Sequence, residues 1–373
     1  MIDLLYKLVY RAQFYLNVPA ILQLLKFREL RNTYYQQLWQ EAARNIDARA
    51  TGWDFGYMRI ARGGRTTVVQ QGTVMLDSHL TLEVMGNKAL TYALMAEKEY
   101  STPDYQTFTM RSLKDAEALL ARHKGKEVVV KPISGTGGGR GVTTGIRDLK
   151  SLRKAARMAA QFDSDLMIEE QVEGDSFRLL YLNGQFIDGV RRDRPEITGD
   201  GKHSIRKLVA LENERRLTER PITALSPLKI DRDCINWLEQ QGLTPRSVLA
   251  QARSIQLKRA VNENRAEQNH NVTDQVHPDT VAMGSRLATD FGVEFAGLDV
   301  ICQDISAPLT RANGWMNEVN TTPGIHHHYL IANPEAGARV AEKVLDYILK
   351  TGHGAMNLGR NETDVNTNDD RAA

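Results

Sequence analysis

Apolar and polar positions change period several times along this chain, and each change predicts an element. Residues 1–27 are rich in Leu, Ile, Tyr and Val but are interrupted by Lys7, Arg11 and Lys26, with Pro19 breaking the run. That pattern predicts one or two amphipathic helices that pack on the body or on a second subunit, with attachment to a membrane surface as the alternative. Residues 27–44 continue as a helix rich in Arg, Gln and Glu, and residues 54–74 alternate as short strands around the turn glycines Gly63 and Gly64. Helices are predicted over 86–98 and 113–123, then a short buried strand over 127–131. Asp148 is a suitable N-cap for a helix over 149–161, and a strand follows over 166–172. Residues 177–182 and 185–190 flank Asn183-Gly184, a dipeptide that favours a type I′ hairpin turn. A helix over 278–291 starts on Pro278, strands follow over 294–301 and 315–319, and an amphipathic helix over 334–350 closes the pattern. Residues 351–373 are rich in Asn, Asp, Gly and Thr with little to bury, which predicts a disordered tail. Alternating helices and strands place the chain in the α/β or α+β class.

Composition narrows the possibilities. Of 373 residues, 42% are hydrophobic and 25% charged, which excludes a wholly disordered chain, a collagen-like fibre and a multi-span membrane protein. The length suits two or three domains with a substantial core. The 48 basic and 46 acidic residues leave a formal charge of +2, without the basic excess of a dedicated nucleic-acid binder. No apolar stretch reaches the ~20 residues that a membrane helix needs. Cys234 and Cys302 are far apart and match no paired metal spacing. With no secretory signature, a cytoplasmic location is expected.

Candidate chemistry starts at Lys131-Pro132-Ile133-Ser134-Gly135-Thr136-Gly137-Gly138-Gly139-Arg140-Gly141, where five glycines fall in seven positions. Such a loop lets backbone amides approach an anion closely, and a lysine ending the preceding strand adds a point charge for a phosphate. No Gly-x-x-x-x-Gly-Lys-Ser/Thr occurs, so this is not a P-loop. A mobile turn is the plain alternative. Glu318 and Asn320, two apart on a strand, point to one face. With Asp299 on a neighbouring strand they form an all-oxygen set of the kind Mg²⁺ prefers beside phosphates. An ion pair with a nearby arginine is the alternative there. His326-His327-His328 is a poor metal motif, because consecutive histidines rarely converge on one ion. Arg191, Arg192 and Arg194 either grip an acidic substrate or form a solvated hairpin face.

Together with Ile168-Glu169-Glu170-Gln171-Val172-Glu173-Gly174 and Glu318-Val319-Asn320-Thr321-Thr322-Pro323-Gly324, the lysine and glycine loop stand in the order found in ATP-grasp enzymes. The chain most resembles the ATP-grasp module of cyanophycin synthetase and of bifunctional glutathione synthesis enzymes, over about residues 80–349. The resemblance implies an ATP-grasp fold of three subdomains with nucleotide held between two α+β lobes. Expected boundaries are an N-terminal region over 1–80, a first lobe over 81–172, a second lobe over 173–350 and the tail from 351. It further implies an ATP-dependent carboxylate–amine ligase that works through an acylphosphate and releases ADP and phosphate. A carboxylate–thiol ligase, a kinase or a non-catalytic nucleotide-binding scaffold are the alternatives. ATP and Mg²⁺ are the implied cofactors, and amino acids or peptides the substrates. A homo-oligomer without nucleic acid or a membrane span is the expected assembly.

Residue by residue, the resemblance assigns Lys88 and Lys131 to nucleotide phosphates. Ser134, Gly135, Gly137, Gly138, Gly139 and Gly141 form the loop that closes over them. Glu169, Glu170 and Val172 become the adenine hinge. Ser176 stands where the family usually has the ribose acid, with Asp175 beside it. Asp299, Glu318 and Asn320 match the metal ligands. Arg178 and Arg259, with Lys131, match catalytic positions facing the reacting phosphate. Residues 262–267 replace a small, glycine-rich loop of the family. Glu263 and Glu267 are therefore expected to hold a cationic amine, with Arg178, Arg191 and Arg192 on an anionic acid substrate, and Gly324 and His326 close by.

Overall fold

The computed structural model describes residues 17–135 and 137–358. Helix α1 (Val18–Asn45) is capped by Asn17, whose side chain accepts the Ala20 N–H at 3.2 Å. Pro19 therefore opens this helix rather than breaking it, since a first-turn proline forfeits no hydrogen bond. The rest of the amphipathic segment predicted before it, residues 1–16, lies outside the described residues.

A three-stranded meander follows: β1 (Arg49–Gly52), β2 (Met58–Arg62) and β3 (Arg65–Val69), with Gly63 and Gly64 both left-handed at the predicted turn. Next come α2 (His79–Gly86) and α3 (Lys88–Glu97). One helix was expected over 86–98. Asn87 instead ends α2 and caps α3, accepting the Ala89 and Leu90 N–H groups at 3.1 Å each.

Strand β4 (Tyr105–Phe108), helix α4 (Leu113–Arg122), β5 (Val128–Pro132), β6 (Thr143–Ile146), helix α5 (Leu149–Ala159) and β7 (Leu166–Glu170) build a four-stranded sheet of order β4-β7-β5-β6. Its core joins Leu119 of α4 and Leu152, Ala155 and Ala156 of α5 to Val128, Val130 and Ile168.

The hairpin of β8 (Asp175–Leu182) and β9 (Gln185–Arg192) turns on Asn183-Gly184, both with positive φ as a type I′ turn requires. An excursion then runs through β10 (Glu196–Thr198), α6 (Ile205–Thr218), α7 (Arg232–Gln240) and β11 (Ser254–Gln256), with its own core of Ile197, Leu208, Leu238, Leu249 and Leu257. The chain returns through β12 (Asn269–Asn271), α8 (Pro278–Asp290), β13 (Phe295–Cys302), β14 (Gly314–Asn320) and α9 (Val340–Thr351). These complete a five-stranded sheet of order β12-β9-β8-β13-β14.

Among the described residues every strand pairing is antiparallel, so the class is α+β. Packing joins segments that are far apart in the sequence. Residues Phe27, Leu30, Tyr35 and Trp39 of α1 share one core with the β1–β3 meander, Leu180, Leu182, Phe295 and the apolar stripe of α9. Met85, Tyr92 and Met95 of α2 and α3 share a core with the five-stranded sheet and with Met167 of β7, and the Tyr92 ring meets Tyr105 of β4 edge-on, so these helices bridge the two sheets. The start of the predicted tail is also bonded. Thr66 and Met356 exchange backbone hydrogen bonds, and Thr67 donates its hydroxyl to the Gly354 carbonyl at 2.8 Å.

Both cysteines are buried, Cys234 in the excursion's core and Cys302 under the large sheet, and burial pushes both thiols up to about 12. A thiol without thiolate character is a poor nucleophile. Iodoacetamide at neutral pH is therefore expected to leave both unmodified in native protein and to label both in urea, read by intact mass. Rapid native labelling would show that one of these cores opens.

Candidate active site

The two large sheets, the excursion and α1 enclose a cavity of about 1060 Å³. Its centre is set by sheet register. Asp299 on β13 lies opposite Arg178 on β8 and Glu318 on β14. The ladder between β13 and β14 skips Asn317, so β14 bulges there. Bulges re-aim side chains. Met316 and Val319, three apart, both pack into the core, while Glu318 and Asn320 face the cavity. Strict alternation would have set Met316 on the same face as Glu318.

Asp299 is buried and held by Arg178, whose Nη2 donates at 2.9 Å, and by Arg192 at 3.0 Å. Burial works to raise its carboxyl, but Arg178 and then Arg192 outweigh this and hold it below the ordinary carboxylate value. Glu318, a third exposed, pairs with Lys88 at 3.5 Å. Asn320 donates Nδ2 to the Gly297 carbonyl at 3.2 Å, which leaves its Oδ1 as an acceptor. Asp299, Glu318 and Asn320 thus line one cavity, with Asp299 committed to two arginines.

Lys131, one residue before the end of β5, is buried with Glu169 at 2.7 Å; Tyr92 donates its hydroxyl to the same carboxylate at 2.9 Å. Burial foremost, then Glu169, keeps the Tyr92 phenol well above its ordinary value and protonated. Glu170, Val172 and Ser176 also line the cavity; Ser176 accepts from Arg192 at 3.3 Å. In the glycine loop, Gly137, Gly138 and Gly139 reach the cavity. Ser134 does not: its N–H and hydroxyl both go to Asp163, at 3.0 and 2.7 Å, tying down the loop base. Neither Gly135 nor Gly141 lines it, and a Cβ at Gly141 would meet Phe162 and Pro132. Thr136 lies outside the described residues. Asn262, from the loop after β11, donates Nδ2 to the Gly138 carbonyl at 2.7 Å, so the glycine loop is docked on that segment.

Arg259 lines the cavity with its guanidinium 4.3 Å over the Trp237 ring and paired with Glu127. Gly324 and His326 line it as well. Three expected substrate residues do not. Arg191 alternates with Arg192 along β9, so it faces the other side of the sheet and pairs with Asp193 at 3.1 Å. Glu263 is buried, and its carboxylate is used by Lys258 at 3.0 Å and by the Lys229 N–H at 2.9 Å. Burial opposes the Lys258 charge, but Glu263 and Asp231 outweigh it and raise that amine above the ordinary lysine value. Glu267 is largely exposed and pairs with Arg265 at 3.0 Å. Neither glutamate reaches the cavity, so neither can receive an amine there.

Sequence reading missed one wall altogether. Leu24, Phe27, Arg28 and Arg31 of α1 line the cavity, as does Gln71 after β3. Their i, i+3, i+4, i+7 spacing was visible and could have flagged a single helix face. Nothing in the sequence says what that face meets.

Over 273 residues, 72% of its length, the chain is 28% identical to the cyanophycin synthetase of Crocosphaera subtropica, covering 31% of that protein. It is 30% identical over 278 residues, also 72% of its length, to the glutathione biosynthesis bifunctional protein GshAB of Streptococcus thermophilus, covering 36% of it. The chain thus spans about a third of the length of these curated relatives. Among solved structures, a bifunctional glutathione synthetase from Pasteurella multocida aligns with 82% of this chain and 41% of its own, at a TM-score of 0.49 and 22% identity. No family model matches the chain. The likeness to cyanophycin synthetase and bifunctional glutathione synthesis enzymes that the motifs carry extends, therefore, over most of the sequence.

Proposed function

We propose that this homologue of the cyanophycin synthetases and bifunctional glutathione biosynthesis proteins is an ATP-grasp ligase, which joins a carboxylate to an amine through an acylphosphate and releases ADP and phosphate. The observation that carries the reading is convergence. Lys88, Lys131, the glycine loop and an oxygen-only set of Asp299, Glu318 and Asn320 line a single cavity. A carboxylate is a poor electrophile towards an amine, and phosphorylation makes it a good one. The transferring phosphoryl spreads negative charge over its oxygens, so positioned cations and amides lower its barrier.

In this reading Lys88, Lys131 and the amides of residues 137–139 hold the phosphates. The stretch from Glu169 to Val172 holds adenine, with Ser176 near the ribose. Arg178 and Arg259 face the reacting groups. The donor set fits Mg²⁺, an ion that typically takes one or two carboxylates, substrate phosphates and water rather than an all-protein cage. Among the described residues no three His, Cys, Asp or Glu cluster as such a cage. When bound, the ion would neutralise phosphate charge beside Glu318, Asn320 and, once released by its arginines, Asp299. Asn262 on Gly138 closes the loop over the cavity and would keep water from the activated acyl group. Burial, reinforced by Arg31, holds the His326 imidazole well below its ordinary value, so it stays neutral.

With a panel of amino acids and short peptides as acids, Mg²⁺ and hydroxylamine as the amine, full-length protein is expected to release ADP and phosphate and form a hydroxamate, read by mass spectrometry. AMP and pyrophosphate would exclude the acylphosphate route. A stable phosphorylated product without hydroxamate would make the protein a kinase.

A further inference from the structure

The wall that α1 gives the cavity is built and charged. Phe27, Arg28 and Arg31 fall on one helix face with Leu24, and that face continues to Tyr35, which is buried. Four long-range bonds fix it. Arg31 donates Nη2 to the Leu225 carbonyl at 3.0 Å, and Trp39 donates Nε1 to the Gln71 carbonyl at 2.7 Å. The Tyr35 hydroxyl lies 2.8 Å from His326 Nδ1 and accepts the His326 backbone N–H at 3.4 Å. A hydroxyl that accepts from that backbone N–H has its own proton to give to Nδ1, which leaves the neutral ring protonated at Nε2.

Arg31 itself is incompletely satisfied. Its Nε is buried without a hydrogen-bond partner, and among the described residues no carboxylate pairs with Arg31 or with the exposed Arg28 beside it. Buried polar groups normally find partners, and a guanidinium presents its N–H groups in a fork matched to a carboxylate. Arg178 and Arg192 are positive neighbours of His326, as Arg31 is, yet both are committed to Asp299. Of these positive neighbours of His326, Arg31 is therefore the one not committed to a carboxylate; elsewhere on the lining, Arg194 donates to Gln256 at 3.2 Å. Leu24, Phe27 and Leu225 lie around it and offer apolar contact to a short carbon chain.

Resting on the ligase reading, we infer that Arg31, joined by Arg28, binds a carboxylate of the acid substrate other than the one that is activated. The enzyme then selects dicarboxylic amino acids, or peptides with a second free carboxylate, over their monoamides. Arg31 is a specificity determinant that touches substrate, and α1 is part of the site rather than a support for it.

The test compares L-glutamate, glutarate and a γ-glutamyl dipeptide with their monoamide counterparts, in wild type, Arg31→Gln and Arg28→Gln. Two readouts are used: hydroxamate formation, and calorimetric binding of each acid in the presence of ADP and Mg²⁺. Wild type is expected to favour dicarboxylates at least tenfold in either readout. Arg31→Gln should cut that preference to about twofold or less, with the KM for ATP held, and Arg28→Gln should weaken it in part. Because Arg28 is exposed, its variant stays informative if Arg31→Gln folds poorly. Hydroxamate formation with equal use of monoamides, or a preference that survives both variants, overturns this inference and leaves the ligase reading standing. Selective dicarboxylate binding that Arg31→Gln abolishes, without hydroxamate from any acid, supports the subsite and removes the ligase reading. No selective binding and no hydroxamate removes both.

Discussion

Replacing Glu318 with glutamine is expected to lower turnover at least a hundredfold while leaving the urea unfolding midpoint almost unchanged. The two halves of this expectation have separate causes. Glu318 is a third exposed and its ion pair with Lys88 is long at 3.5 Å. Pairs of that kind contribute roughly 0–1 kcal/mol to stability. In the proposed reaction, however, the same carboxylate faces the phosphates and would help hold Mg²⁺. Loss of about 3 kcal/mol of transition-state stabilisation corresponds to roughly a hundredfold in rate. Glutamine keeps size and shape and removes the charge. ADP release at saturating ATP, with hydroxylamine as the amine, measures the effect; a rate within tenfold of wild type would place the reacting centre elsewhere.

Asp299→Ala is expected to behave differently and to destabilise the fold by about 3–5 kcal/mol, as removal of one partner from a buried ion group does. Arg178 and Arg192 are both buried, and both direct a guanidinium at Asp299. Without it, two desolvated positive charges face each other across β8 and β9. The urea midpoint should fall accordingly. Adding Arg192→Met to Asp299→Ala should recover part of the loss, because one of the two stranded charges is then gone. A midpoint within experimental error of wild type for Asp299→Ala would mean that water reaches this group freely. Activity should be lost in both variants, so stability and its partial recovery are the discriminating signals.

The contrast between these neighbours shows what could be read from sequence. The ordered motifs are local, so Lys131 with its glycine loop, the Asn183-Gly184 hairpin and the paired positions of Glu318 and Asn320 were all legible. Which way a side chain faces is less local. Arg191 and Arg192 looked equivalent in a run of arginines, but only the residue with the parity of Arg178 reaches the cavity. The bulge at Asn317 has no sequence signature, and without it Met316 and Glu318 would share a face. Glu263, in a polar loop, was expected to hold a cationic amine. Its burial is imposed by Lys258, which is fully buried and needs carboxylates from two segments, Asp231 at 2.7 Å and Glu263 at 3.0 Å. The role of α1 was hidden for a similar reason, since its partners Leu225 and His326 lie 194 and 291 positions further along the chain.

That separation bears on how the molecule comes to exist in a cell. Helix α1 leaves the ribosome almost 300 residues before α9, yet Phe27, Leu30 and Trp39 are buried in the core that α9 completes. At ~5–20 residues per second the interval is roughly 15–60 seconds. During it the helix carries an apolar face without the stripe that will cover it. The large sheet, closed by β14, is finished before that stripe arrives. The reacting groups on β8, β13 and β14 can therefore be in register while the cavity still lacks the wall that α1 provides. In the proposed reading, the groups assigned to the chemistry and the α1 wall assigned to selectivity are thus brought together at different times, the second only once α9 has been made.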